Sequence, residues 1–78
     1  MGETIYLVTV HRLGNKCKVG HTFDNFDGAL DYYVRTIKMG VGKGFYFDCD
    51  IDACHWDNEM QALVTDTCVA AFTWDSDC

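Results

Sequence analysis

The segment Phe26–Gly40, FDGALDYYVRTIKMG, decides the fold because it has the apolar spacing of an amphipathic α-helix. Its apolar side chains recur every three or four residues, the stripe of a 3.6-residue period, at Phe26, Ala29, Leu30, Tyr33, Val34 and Ile37. Asp24 or Asn25 is a suitable N-cap, and Gly40 stands where a left-handed residue ends a helix. We therefore predict one helix over about residues 25–39, with the rest of the chain forming a sheet packed against it.

The residues before this helix predict a β-hairpin. Thr4–Arg12 is rich in β-branched and aromatic residues and is apolar on both alternating faces, the side of Ile5 and Leu7 and the side of Tyr6. A turn over residues 13–16 follows, and Lys16–Phe23 then alternates between apolar and polar residues. These two segments are the expected arms of the hairpin.

The residues after the helix predict two or three further strands. Phe45–Asp52 alternates between apolar residues and aspartates, and Thr67–Trp74 has the composition of a closing strand. Residues 53–59 are expected to form a loop, whereas residues 57–66 fit either a short helix or a strand. The whole is predicted as a single α+β domain, one antiparallel sheet with the helix on one face. If the first strand pairs with the last, the Tyr6 side stays partly open, which favours a homodimer through that side.

The charges are unevenly divided along the chain. The net charge is −6, but residues 1–44 hold all six Lys and Arg and carry +2, whereas residues 45–78 carry −8 without one Lys or Arg. Phosphate contacts require cationic groups, so direct nucleic-acid binding through the second half is not expected. Such asymmetry indicates a basic partner instead.

The composition also bears on compartment. No apolar run has the length of a membrane span and no secretory signal is visible, so the expectation is a cytoplasmic protein that binds no membrane. Five cysteines are an odd number for a disulfide framework, and we interpret them as reduced thiols. Three of them are expected to act as small core residues, namely Cys17, Cys49 and Cys68.

An acidic row is the most informative functional pattern. As a strand, residues 45–52 would bury their apolar set and display Asp48, Asp50 and Asp52 on the other face, about 6.6–7 Å apart, close to the phosphate spacing along a nucleic-acid strand. The three carboxylates either form a solvated sheet face or bind a basic protein. For the binding alternative, the expected partner-contacting residues are Asp48, Asp50, Asp52, Asp57, Glu59, Asp66, Tyr46, Trp56 and Trp74.

Calcium binding is the alternative use of the same segment. Asp48, Asp50, Asp52 and Glu59 occupy positions 1, 3, 5 and 12 of an EF-hand loop. Position 6, which is normally glycine for a sharp turn, is Ala53, and the preceding residues have the composition of a strand. A small calcium-binding or oligomerising structural module is therefore the competing hypothesis.

Catalysis is not expected. Cys54 could act as a thiolate nucleophile with His55 or His11 as its base, but no convergent set of acid and base residues can be named. There is no Cys-x-x-Cys pair for zinc and no glycine-rich phosphate loop between a strand and a helix. We therefore expect a non-catalytic protein that uses no cofactor.

The combination of YLVTVHRLGNKCKVGHTF, FDGALDYYVRTIKMG and an Asp-rich strand resembles small acidic inhibitor proteins encoded by phages. These include anti-CRISPR, anti-restriction and host-RNA-polymerase-inhibiting proteins, and the resemblance lies in size, charge and the hairpin–helix–sheet build. It implies a host bacterial cytoplasm, and a mechanism in which carboxylates mimic phosphates on the basic surface of a host nucleic-acid-binding protein.

Overall fold

The computed structural model describes residues 4–14 and 18–74. These residues form four strands and one helix, β1 (Ile5–Arg12), β2 (Val19–Phe23), α1 (Phe26–Gly42), β3 (Phe47–Asp57) and β4 (Ala62–Trp74). The strands make one antiparallel sheet in the order β2-β1-β3-β4. The predicted α+β fold with a helix on one face of one sheet is confirmed, and two strands follow the helix.

The helix begins where the sequence predicts. Asn25 is the N-cap, and its Oδ1 accepts a hydrogen bond of 2.6 Å from the backbone N–H of Gly28. An i, i+4 ion pair lies on the exposed side of the helix, with 3.1 Å between Arg35 Nε and Asp31 Oδ2.

The helix ends later than predicted, at Gly42 instead of near Gly40. The left-handed residue is Gly44, with φ of 77°. The Phe45 N–H donates to the Gly40 carbonyl at 2.9 Å and the Gly44 N–H donates to the Val41 carbonyl at 3.1 Å. These two bonds are those of a Schellman motif, which satisfies the last free carbonyls of the helix.

Gly40 instead lies within the helix and allows it to pack closely against the sheet. A Cβ atom at this position would overlap the ring of Phe47, coming within 2.8 Å of its Cζ atom. Phe47 is buried at the start of β3. The absence of a side chain at Gly40 therefore lets the helix approach the sheet.

The core lies between α1 and one face of the sheet. Its buried members come from β1, α1 and β3, and they are Val8, Ala29, Tyr33, Phe47, Cys49 and Ile51. At the margin of the helix, Phe26, Leu30 and Val34 remain between 37% and 38% exposed, although they belong to the predicted apolar stripe. The helix packs on β1, β2 and β3, and its apolar stripe is wider than the surface that this packing buries.

The face of β1 that meets the helix is the one predicted to stay partly open. Tyr6 lies on the covered side, with its ring centroid 5.5 Å from that of Phe26. The uncovered side of β1 is that of Ile5 and Leu7. The pairing of the first strand with the last, which would leave the Tyr6 side partly open, is not formed, because β1 pairs with β2 and β3 and α1 packs on its Tyr6 side.

Residues 53–57 are strand, so the predicted loop over residues 53–59 is wrong. β3 continues to Asp57, and a turn over residues 58–61 leads into β4. Asp57 Oδ1 accepts hydrogen bonds from the backbone N–H groups of Glu59 and Met60, at 2.9 and 3.1 Å. The turn ends on Gln61, a non-glycine residue with φ of 51°. Residues 53–57 take a strand conformation because all of them pair with β4, and residues 53 and 54 also with β1.

The cysteines follow the prediction only in part. Cys49 is buried as expected, Cys68 is exposed and therefore contradicts it, and Cys54 is buried without having been predicted so. Cys17 lies outside the described residues, as do residues 15 and 16 of the predicted turn and strand. Within the described ranges, α1 is neither long nor apolar enough to cross a membrane.

Candidate acidic interface on the open face of the sheet

The sheet has one face covered by α1 and one that we call the open face. Strand alternation and register decide which side chains share the open face. Its residues include, from β1, Ile5, Leu7, Thr9 and His11; from β2, Gly20 and Thr22; from β3, Asp48, Asp50, Asp52, Cys54 and Trp56; and from β4, Cys68, Ala71 and Thr73.

The acidic row, Asp48–Asp50–Asp52, runs along the centre of this face. β3 is an interior strand between β1 and β4, so the row is flanked on both sides. All three residues are partly exposed. Alternation along an extended strand places neighbouring members about 6.6–7 Å apart. The predicted arrangement of these three carboxylates on one face is therefore confirmed.

The first half of the chain supplies two basic side chains as neighbours of this row. His11 lies opposite Asp48, with 3.9 Å between His11 Nδ1 and Asp48 Oδ2. Lys18, just before β2, lies close enough for its positive charge to oppose the rise in the pKa of Asp50. The count of charges in residues 45–78 could not show these two groups, because both come from the first half of the chain.

Asp50 is the member of the row with a carboxylate oxygen shielded from solvent. Its Oδ1 atom is shielded from solvent and has no hydrogen-bond partner among the described residues. Burial raises the pKa of Asp50 above its usual range, and the negative charges of Asp52 and Asp48 raise it further. A buried carboxylate oxygen without a donor costs free energy, and so does repulsion between like charges.

On the other side of the row, β4 contributes only small side chains. Thr73 lies opposite Asp48, Ala71 opposite Asp50 and Cys68 opposite Asp52. A shallow cavity of about 190 Å³ borders Asp48 and Asp50 and extends from Ala71 on β4 to His11 on β1 and to Lys18. Partial desolvation and the carboxylates of Asp52 and Asp50 raise the pKa of the Cys68 thiol. The acidic row is therefore accessible over β4.

The other predicted acidic contacts do not join the row. Asp57 caps the β3–β4 turn through its own carboxylate, and Glu59 lies exposed in that turn. Asp66 binds His55 Nδ1 through both carboxylate oxygens, at 2.9 and 3.0 Å. These carboxylates have local roles at the far end of the hairpin.

The predicted aromatic contacts are also dispersed. Tyr46 is exposed just before β3, and its carbonyl accepts a 2.9 Å bond from the Leu13 N–H. Trp56 is exposed and lies on the same face of β3 as the acidic row, but it is four residues, about 13 Å, from Asp52. Trp74 lies on the other face of the sheet, paired with Phe47.

The EF-hand alternative does not fit the backbone. Asp48, Asp50 and Asp52 lie on a straight strand, and Glu59 lies beyond its end in the turn. A calcium loop instead curls its oxygen ligands around one ion. Within residues 4–14 and 18–74, no three His, Cys, Asp or Glu side chains are grouped so that they could hold a metal ion.

The Cys54–His55 pair does not form a nucleophile and base. Adjacent strand residues point to opposite faces of a sheet. The Cys54 sulfur is buried, 3.6 Å from the Asp52 carbonyl and 3.7 Å from Thr65 Oγ1, whereas the His55 ring contacts Asp66.

Comparison with protein-family models, with curated proteins and with solved structures finds no match to this chain. The acidic row and its surroundings are therefore the basis for a functional assignment.

Proposed function

We propose that the protein is a non-catalytic inhibitor, which binds the basic surface of a nucleic-acid-handling protein through the acidic row. In this proposal, Asp48, Asp50 and Asp52 occupy positions that phosphates of a nucleic acid would take. This is the mechanism implied by the resemblance to phage-encoded anti-CRISPR and anti-restriction proteins.

The observation that carries the proposal is the placement of three carboxylates in one row on an uncovered face. A row of like charges is unfavourable for the isolated protein: Asp52 and Asp48 add to the effect of burial in raising the pKa of Asp50, and Lys18 opposes this rise. A partner with closely spaced Lys or Arg side chains would supply the missing positive charge.

Affinity capture from nuclease-treated bacterial lysate tests the proposal. The bait proteins are the wild type and the triple variant Asp48→Asn, Asp50→Asn, Asp52→Asn. A captured protein is then assayed for binding a fluorescent nucleic acid while bait protein is added. We expect the wild type to displace the nucleic acid competitively, and the affinity to fall as salt rises through the range that screens surface charge.

A charge-matched control separates the acidic row from net charge. The variant Asp27→Asn, Asp31→Asn, Glu59→Gln also removes three negative charges, all from exposed positions away from the open face. We expect it to capture and inhibit the same protein as the wild type. Equal inhibition by all three baits, or inhibition lost equally in both variants, would contradict a specific role of the acidic row.

A further inference from the structure

The outer edge of β4 is unpaired in the described sheet. β4 is the last strand in the order β2-β1-β3-β4, so its second row of backbone N–H and C=O groups has no strand partner. Residues 70–74 pair regularly with residues 47–51, whereas register shifts on either side of residues 52–53 disturb β4 before Ala70. The regular, uncharged residues 70–74, which we call the edge segment, are therefore suited to receive another strand.

The two faces of the edge segment differ in chemistry. On the open face it presents Ala71 and Thr73, which lie directly beside Asp50 and Asp48. On the face of the helix it presents Phe72 and Trp74, whose rings stack with centroids 6.4 Å apart and planes 7° apart. Both rings are only half-buried because α1 packs on β1, β2 and β3.

We propose that the edge segment pairs with an extended segment of the partner in which basic residues alternate with apolar ones. The apolar side chains would lie beside Phe72 and Trp74. The Lys or Arg side chains would extend over Ala71 and Thr73 to the acidic row, which is two strand spacings, about 9.5 Å, from the added backbone. This inference rests on the proposed function and specifies the conformation and the residue pattern of the bound segment.

Charge favours such a segment over a second copy of this chain. Pairing two copies through β4 would bring together two molecules of net charge −6, with their acidic rows near the same interface. A basic strand added at the same place would instead bring its Lys or Arg side chains close to the negatively charged acidic row. The occupant is therefore assigned as a foreign strand with one cationic face.

Two peptides of identical composition test the pattern. The first is Lys-Val-Lys-Val-Lys-Val-Lys, and the second rearranges the same residues as Lys-Lys-Val-Val-Lys-Lys-Val. Only the first can present all its lysines on one face of a strand. We expect the alternating peptide to bind at least about tenfold more tightly, and amide hydrogen exchange in residues 70–74 to slow when it binds.

Two substitutions of equal charge test the location. Ala71→Lys places a cation beside Asp50 and in the path of the peptide lysines, and should weaken binding at least about tenfold while the opposite-charge pair keeps the fold stable. Thr22→Lys adds the same charge to the open face on β2, at the other edge of the sheet. We expect it to change the affinity by less than about threefold. Thermal melts confirm that both variants fold.

The outcomes distinguish this inference from the proposed function. Equal binding of both peptides without slower exchange in the edge segment would overturn strand addition, while the affinity capture would still decide the role of the acidic row. Absence of peptide binding at low salt would also overturn strand addition. A free protein that is dimeric, with its edge-segment amides already protected, would assign the edge to a second copy and overturn the proposal.

Discussion

The Asp50 carboxylate lies between two like charges, and one of its oxygens is shielded from solvent without a hydrogen bond. Its neighbours Asp48 and Asp52 add to the effect of burial in raising its pKa, and Lys18 opposes them. Because the folded protein holds the Asp50 proton more tightly than the unfolded chain does, the favourable contribution of this residue is complete below the usual pKa of an aspartate. It is lost as the pH rises through the raised pKa.

Asp50→Asn should therefore stabilise the protein at neutral pH. We expect a Tm increase of a few degrees at about pH 7, since roughly 1 kcal/mol shifts the Tm of a domain of this size by about 4–8 °C. The gain should shrink as the pH falls towards 4, where Asp50 of the wild type also becomes neutral. Melting curves followed by circular dichroism between about pH 4 and pH 8 measure this difference.

The matched control for this substitution is Asp27→Asn. Asp27 is exposed in the first turn of α1, where a negative charge interacts favourably with the helix dipole. Its removal should lower the Tm slightly at neutral pH. A destabilising effect of Asp50→Asn at pH 7 would show that the attraction of Lys18 outweighs the repulsion within the row.

At the scale of the elements, the last turn of α1 contains two glycines with different environments, Gly40 and Gly42. A methyl group at Gly40 would overlap the Phe47 ring, whereas nothing lies within 4 Å of a Cβ atom built at Gly42. Gly40→Ala should therefore lower the free energy of unfolding by about 1–3 kcal/mol, the usual cost of overpacking. Gly42→Ala should leave it unchanged or raise it by up to about 1 kcal/mol.

Urea denaturation of the two variants measures this contrast. Both replace glycine by alanine in the same helix, so the change in helix propensity is matched. Equal stability of Gly40→Ala and Gly42→Ala would mean that the helix and Phe47 do not make the close contact described above.

The β3–β4 turn carries a local conformational cost at Gln61. Its φ of 51° is in the left-handed region, which costs a non-glycine residue about 1–2 kcal/mol. Gln61→Gly should raise the free energy of unfolding by about 0.5–1 kcal/mol, because glycine adopts this φ without strain but has a more flexible unfolded state. Met60→Gly, one residue earlier and without positive φ, should lower it in the same urea titration. A loss of stability in Gln61→Gly would contradict the described turn.

The helix and strands also show how much of the fold local sequence patterns can predict. The periodicity around Ala29 and Tyr33 and the capping residue Asn25 are local properties, and they predicted the helix and its start. The extension of β3 through residues 53–57 depends on pairing with β4, and for residues 53 and 54 also with β1, which the local sequence Ala-Cys-His-Trp-Asp does not report. Similarly, Gly40 and Gly44 are equivalent as sequence signals, and only the contact of Gly40 with Phe47 decides their roles.

The candidate site was predictable to the same extent. Alternation over residues 47–52 placed the acidic row on one face without knowledge of the fold. The sequence could not select the uncovered side of β1, since both sides are apolar, and it could not bring His11 beside Asp48. Strand order and register determine these neighbours, and they are properties of the whole sheet.

For the whole molecule, the uneven division of charge predicts how stability depends on salt. The chain carries −6 overall, and the acidic row concentrates like charges in the folded state. Raising NaCl from about 0.05 M to about 0.5 M shortens the Debye length and should raise the Tm of the wild type by screening this repulsion. The triple variant Asp48→Asn, Asp50→Asn, Asp52→Asn should show a smaller increase in the same calorimetric scans. A Tm that falls with added salt would indicate that attractive pairs dominate.

The two register shifts of β4 have a consequence for chain length. Val69 and Asp66 are the extra residues, because Ala70 and Cys68 pair with consecutive residues of β3, as do Thr67 and Thr65. In a bulge, two residues oppose one, so a single deletion there restores regular pairing without turning the following side chains to the other face. Natural variants of this protein can therefore lose a residue at Val69 and keep both faces of the sheet, whereas a deletion within residues 70–74 would exchange them.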